Sequence, residues 1–127
     1  MADFVISTAH NQARQQATIS FADAGANPSR IEFYNAADIL LAVATLTKPC
    51  GLITGGYIRL AQAAPAGDMI AVDGIAVRAQ WISGANQLVA SGPATDEAGE
   101  GPFIIQGASG TQLYAGGRLI IGITEIE

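Results

Sequence analysis

Few side chains in this sequence carry reactive chemistry, and those few stand apart. His10 is the single histidine and Cys50 the single cysteine. Nucleophilic catalysis needs a base beside the nucleophile. His10 is followed by polar Asn11 and Gln12 near the start of a helix-like segment, where a histidine is ordinarily solvated. Cys50 stands between Pro49 and Gly51, with no basic residue directly beside it to lower its pKa, so it reads as a small buried hydrophobe. The densest chemical group is acidic: Asp96, Glu97 and Glu100. Loop carboxylates coordinate calcium when a sharp turn gathers them, and Gly99 and Gly101 supply a turn. The segment lacks the alternate-position acids of an EF-hand loop, and its ordinary reading is a solvated charged loop.

As a glycosidase pair these acids would have to flank a substrate groove. With Trp81 as the single tryptophan, a sugar-stacking cleft is hard to build, and Trp81 falls on a core face. Asp68 and Asp73 bracket Met69-Ile70-Ala71-Val72, and Asp73-Gly74 is a turn signal. Gly107-Ala108-Ser109-Gly110 and Gly116-Gly117 match neither the dinucleotide fingerprint nor the P-loop. Asn27-Pro28-Ser29 is excluded as a glycosylation acceptor by its proline. The expectation is a non-enzymatic protein without catalytic residues, cofactor or metal, with Asp96, Glu97 and Glu100 as the remaining metal candidates.

The elements that carry these residues are one helix and many short strands. Ser7-Thr8 caps a helix running to about Ala24, with Gly25 at its end. Ala9, Ala13, Ala17, Phe21 and Ala24 recur at spacings of three and four, a small-residue face that allows close approach to a sheet or a neighbouring subunit. Ile19 lies off this stripe. Strands follow from about residue 30 to 126: Arg30 to Tyr34, Leu40 to Thr47 ended by Pro49, Tyr57 to Leu60, and Gly74 to Ser83. In the last of these, Ile75, Val77, Ala79 and Trp81 share one face. Gln87 to Ala90 pairs with it across Gly84-Ala85-Asn86. Phe103 to Ile105, Thr111 to Tyr114 and Leu119 to Ile126 complete the set, with Leu119, Ile121 and Ile123 facing one way. Ser91 to Pro102 reads as a mobile loop. Seven or eight such strands in a single domain predict a mainly β fold, a β-sandwich or small barrel with one N-terminal helix.

Composition bounds the partners. The 127 residues are 50% apolar and 13% charged, against roughly 25% charged in an average soluble domain. So small a domain cannot hide that much apolar surface, which predicts an oligomeric or partner interface. The net charge of −5 and six scattered basic residues argue against nucleic acid. The longest apolar stretch, Ile39 to Leu46, falls far short of the roughly 20 residues that span a bilayer. Met1-Ala2-Asp3-Phe4 lacks the features of a signal peptide, and one cysteine forms no internal disulfide, so synthesis in a reducing cytoplasm is expected.

The order of elements resembles a known group. An Ala2-Asp3-Phe4 start leads into the Ala-rich helix Thr8 to Ala24, then Gly25-Ala26, the strand Arg30 to Tyr34, and Leu40-Leu41-Ala42. Gly55-Gly56, Asp73-Gly74-Ile75-Ala76-Val77 and Ala115-Gly116-Gly117 before a final strand follow. This resembles small virion structural proteins of tailed bacteriophages and prophages, the β-sandwich or jelly-roll group that includes capsid cement and decoration proteins. The resemblance implies a jelly-roll-like sandwich and a homo-oligomer attached to phage shell or tail proteins. It further implies a virion location after synthesis in the bacterial host, and no catalytic residues. Ala9, Ala13, Ala17 and Phe21 are the interface candidates. An acidic chain is repelled by packaged DNA, which favours the outer shell or tail. The alternative is a small carbohydrate-type binding module, which would gather Tyr34, Tyr57 and Tyr114 on one surface.

Overall fold

The computed structural model describes residues 5–107 and 110–126. The Met1 to Phe4 segment, and Ala108-Ser109 of the glycine-rich stretch, lie outside the described residues. Helix α1 spans Thr8–Ala22. Ser7 caps it from extended backbone, its Oγ accepting the His10 N–H at 3.1 Å. The helix stops short of Ala24 because Asp23 is drawn out of it: its carboxylate accepts the Cys50 N–H at 3.1 and 3.2 Å.

The face that packs on the sheet is not the alanine stripe. Gln15, Ile19 and Ala22 are buried, while Ala9, Ala13, Ala17, Phe21 and Ala24 are exposed on the opposite side. One Ile19 side chain removes more apolar area from water than the methyl of an alanine. Gln15 adds a hydrogen bond from its Nε2 to the Gly56 carbonyl, which ties α1 to a strand turn.

Eleven strands follow among the described residues: β1 Arg30–Tyr34, β2 Leu40–Thr54, β3 Tyr57–Gln62, β4 Asp68–Met69, β5 Gly74–Ile75, β6 Arg78–Ile82, β7 Leu88–Asp96, β8 Phe103–Gln106, β9 Gln112–Leu113, β10 Arg118–Ile121 and β11 Glu125–Ile126. Nine form one sheet in the order β11-β3-β2-β1-β6-β7-β8-β10-β4, and β5 pairs with β9. The sheet curls until its β4 end meets β2 again. The Ala63 N–H reaches the Thr45 carbonyl at 2.9 Å, and Ala71 and Val72 both donate to Leu41. Gln62 stitches β3 to β10, donating to the Leu119 carbonyl at 2.8 Å and accepting the Ile121 N–H at 3.0 Å. The curled layers enclose one core of Ile31, Phe33, Leu41, Ile58, Trp81 and Phe103 with their neighbours. The fold is therefore mainly β with a single helix, its sheet folded over on itself in the manner of a sandwich.

The eleven strands exceed the seven or eight expected, and four of the differences have a traceable reason. β2 runs through Pro49 to Thr54 because its ladder changes partner, from β1 up to Thr45 to β3 from Leu46, with an irregularity between Leu46 and Gly51. A proline is tolerated at such a break. The expected strand Gly74 to Ser83 is two strands. Ala76 donates to the Thr111 carbonyl and Val77 to the Tyr34 carbonyl, so the halves join different partners. Ala79 and Trp81 are buried, but Ile75 and Val77 are exposed.

Ser91 to Asp96, expected as loop, belongs to β7 despite Pro93. The Ala94 N–H points to Val77, so the Pro93 nitrogen faces the other side, just before pairing with β8 begins at Ala94. Leu119 to Ile126 is broken at Gly122: Leu119 and Ile121 are buried, Ile123 is exposed and Thr124 is buried.

Candidate functional site

The reactive groups do not converge. His10 sits exposed in the first turns of α1, whereas Cys50 is fastened to Asp23 at the other end of that helix. Burial, reinforced by the Asp23 carboxylate, pushes the Cys50 thiol up to about 12. Cys50 is thus a neutral thiol at physiological pH.

The acids Asp96, Glu97 and Glu100 diverge around a compact connection. β7 and β8 run parallel, with Ala94, Thr95 and Asp96 opposite Phe103, Ile104 and Ile105. Residues 97–102 make the return, where about a dozen residues are usual. They manage it by folding over Thr95, whose Oγ1 accepts the Gly101 N–H at 3.2 Å. A Cβ at Gly99 or Gly101 would stand 2.6 or 2.8 Å from Thr95 side-chain carbons, so both positions require glycine. Asp96 Oδ1 closes the turn by accepting the Ala98 N–H at 3.1 Å. Glu97 instead lies over Gly122, while Glu100 lines a groove beside Tyr57. Among the described residues no three His, Cys, Asp or Glu side chains are gathered as metal ligands. No helix among them is long and apolar enough to cross a membrane.

The tyrosines are dispersed. Tyr57 opens β3, and Tyr114 lies by Ile70 and Leu113 in a different depression. Tyr34 belongs to a polar network on the outside of β1 and β6 that sequence reasoning missed. Its hydroxyl donates to Glu32 at 2.6 Å, Arg30 Nε donates to the same carboxylate at 2.9 Å, and the Arg78 guanidinium lies 4.3 Å over the Tyr34 ring. Burial raises the Glu32 carboxyl, but hydrogen bonds from Tyr34 and Arg30, with the Arg30 charge, outweigh it and leave it lowered. The bond to Glu32 raises the Tyr34 phenol in turn. Alternate residues of one strand face the same way, so Arg30-x-Glu32-x-Tyr34 was the signal for this row.

What the surface does gather is aliphatic. Ile39 stands just before β2 and Leu40 opens it, as the register partner of Tyr34. Val77 donates its N–H to the Tyr34 carbonyl and Val72 donates to the Leu41 carbonyl, which brings both to the same end of the sheet. Ile75 joins them through Gly74, where a Cβ would meet Leu41 Cδ2 at 2.9 Å. All five are exposed, Ile75 by 55%. The Asp38–Arg78 pair, at 2.9 Å, borders them. A second apolar groove lies over the β2–β3 hairpin between Pro49, Leu52 and Leu60. A groove of mixed polar and aliphatic lining, about 570 Å³, lies between β11 and β8. No protein-family model, no curated protein and no solved structure matches this chain.

Proposed function

We propose that the chain is a non-enzymatic structural component of a phage or prophage particle, a capsid cement, decoration or head–tail protein that works as an oligomer through contacts with itself and with shell subunits. The observation that carries this reading is the cluster of Ile39, Leu40, Val72, Ile75 and Val77, aliphatic side chains left exposed outside the core. Contiguous exposed apolar surface marks an interaction site more often than it decorates a monomer. The exposed alanine stripe of α1 offers a second place for close packing. The dispersed tyrosines withdraw support from the carbohydrate-type alternative.

The test is twofold. Light scattering across dilution is expected to give a mass above that of one chain, reduced toward the monomer by Ile75→Asp with Val77→Asp. The unaltered chain is expected to co-sediment with its own particles across salt conditions. A monomeric mass throughout, or failure to co-sediment, rejects the reading.

A further inference from the structure

The wall of the curled sheet is open between β11 and β8. β10 is held on both sides, by β4 at Arg118 and Leu119 and by β8 at Ile120 and Ile121. The last bond across to β8 is Gly122 N–H to the Ile104 carbonyl, at 2.8 Å. Beyond it the chain bends away to β3: Thr124 accepts the Leu60 N–H at 3.0 Å, and Glu125 and Ile126 pair with Arg59 and Ile58. Among the described residues β3 is the single neighbour of β11. Because backbone groups alternate sides along an antiparallel strand, Thr124 faces β3 and Glu125 turns its N–H and C=O the other way, into the opening.

The opening is the groove of about 570 Å³, lined by Tyr57, Ile104, Ile123 and Ile126 together with Glu100 and Glu125. Glu97 lies close by without lining it, its Cγ 3.6 Å from where a Cβ on Gly122, next to Ile123, would stand. The Glu100 and Glu125 carboxylates therefore border a seam of mixed polar and aliphatic lining, with Glu97 close by. Arg59 pairs with Glu125 at 3.1 Å, while Glu97 and Glu100 have no ion pair among the described residues.

We propose that this seam takes up an extended peptide segment of another protein as an added strand along β11, and that the segment alternates Lys or Arg with aliphatic side chains. An added strand would satisfy the outward N–H and C=O of Glu125, as in β-strand addition generally. Its period of two would lay aliphatic side chains on Ile104 and Ile123 and turn cationic ones to the carboxylates. A second copy of this chain is the poorer occupant. It would bring the same carboxylates face to face on a molecule of net charge −5. Strand uptake does not depend on the particle assignment: a chain that fails to co-sediment can still bind the peptide, and the reverse.

The probe is a synthetic peptide of about eight residues, an ordinary strand length, alternating Lys and Val. A matched peptide alternating Glu and Val is the control. The Lys/Val peptide is expected to bind the full chain, to slow hydrogen exchange of the Glu125 amide, and to bind more weakly as salt rises. Reversing the rim with Glu97→Lys and Glu100→Lys, both exposed positions, is expected to weaken it at least about tenfold and to admit the Glu/Val peptide. Ile123→Ser, on a side chain 67% exposed, is expected to weaken the Lys/Val peptide without altering the rim charge. Binding that leaves Glu125 exchange and the rim reversal without effect overturns the proposal, as does no binding at all. Glu125 protection that rises with the concentration of the chain alone overturns it in favour of a second copy.

Discussion

At the carboxyl end of α1, backbone closes on backbone. Gly84 donates its N–H to the Ala22 carbonyl at 2.9 Å, Lys48 Nζ reaches the Gly25 carbonyl at 2.6 Å, and Asp23 receives the Cys50 N–H. A Cβ on Gly84 would collide with the Asn27 carbonyl oxygen, and one on Gly25 would fall 2.8 Å from Gly84. At the seam between β11 and β8 the same kinds of group face an opening, and the aliphatic side chain beside them, Ile123, is exposed. The difference teaches where the chain specifies itself and where it leaves room. Donors in the closed region are used internally, whereas at the seam the Glu125 N–H and C=O turn away from β3.

Substitutions can test that contrast directly. Gly84→Ala is expected to cost about 3 kcal/mol, because backbone atoms on both sides must move, measured by chemical denaturation. A cost under about 0.5 kcal/mol would show that the closed region gives way as easily as a surface. Trp81→Phe is expected to cost about 2 kcal/mol, since it removes volume and leaves the buried Ser29 hydroxyl without the indole N–H it now accepts at 3.2 Å. Far-ultraviolet circular dichroism would follow that unfolding.

Cys50 offers a pH test of the same region. Its folded thiol stays protonated up to about 12, against an ordinary value of 9.0, so between these values the unfolded chain binds fewer protons than the folded one. Stability from this group is full below pH 9.0 and is lost as pH rises toward about 12. Cys50→Ala is expected to flatten that part of the profile, whatever it does to stability at neutral pH. At the seam, Ile123→Ser is expected to change stability by no more than about 0.5 kcal/mol in the isolated chain. A larger loss would mean that the opening is part of the core.

Much of the closed region is legible in the sequence itself. Ser7, the helix it caps and Gly25 beyond its end can be read there because capping and left-handed turns are local requirements. Asn86, in the turn joining β6 to β7, has a φ of 65°, as a tight hairpin connection demands. The packed face of α1 is misleading in sequence because spacing ranks positions without weighing size, and one Ile19 outweighs a row of alanines. The strand through Ile75 and Val77 misleads because an alternating pattern continues unbroken even when the ladder changes partner. The seam is illegible for a different reason. Ile104, Ile123 and Ile126 look like any strand residues until the chain is seen to leave β8 at Gly122. Pairing between distant segments decides which apolar residues stay uncovered.

The single tryptophan gives the molecule an optical gauge with a useful blind spot. Trp81 is fully buried, and its indole N–H bonds to Ser29. Its emission should be blue-shifted and shielded from aqueous quenchers as long as the core is intact. Tyr57, at the mouth of the seam, is 40% exposed and absorbs at shorter wavelength. Selective excitation of the indole would therefore report core integrity, while tyrosine emission would respond to an occupant at the seam. One sample could separate a ligand that fills the groove from a condition that unravels the fold.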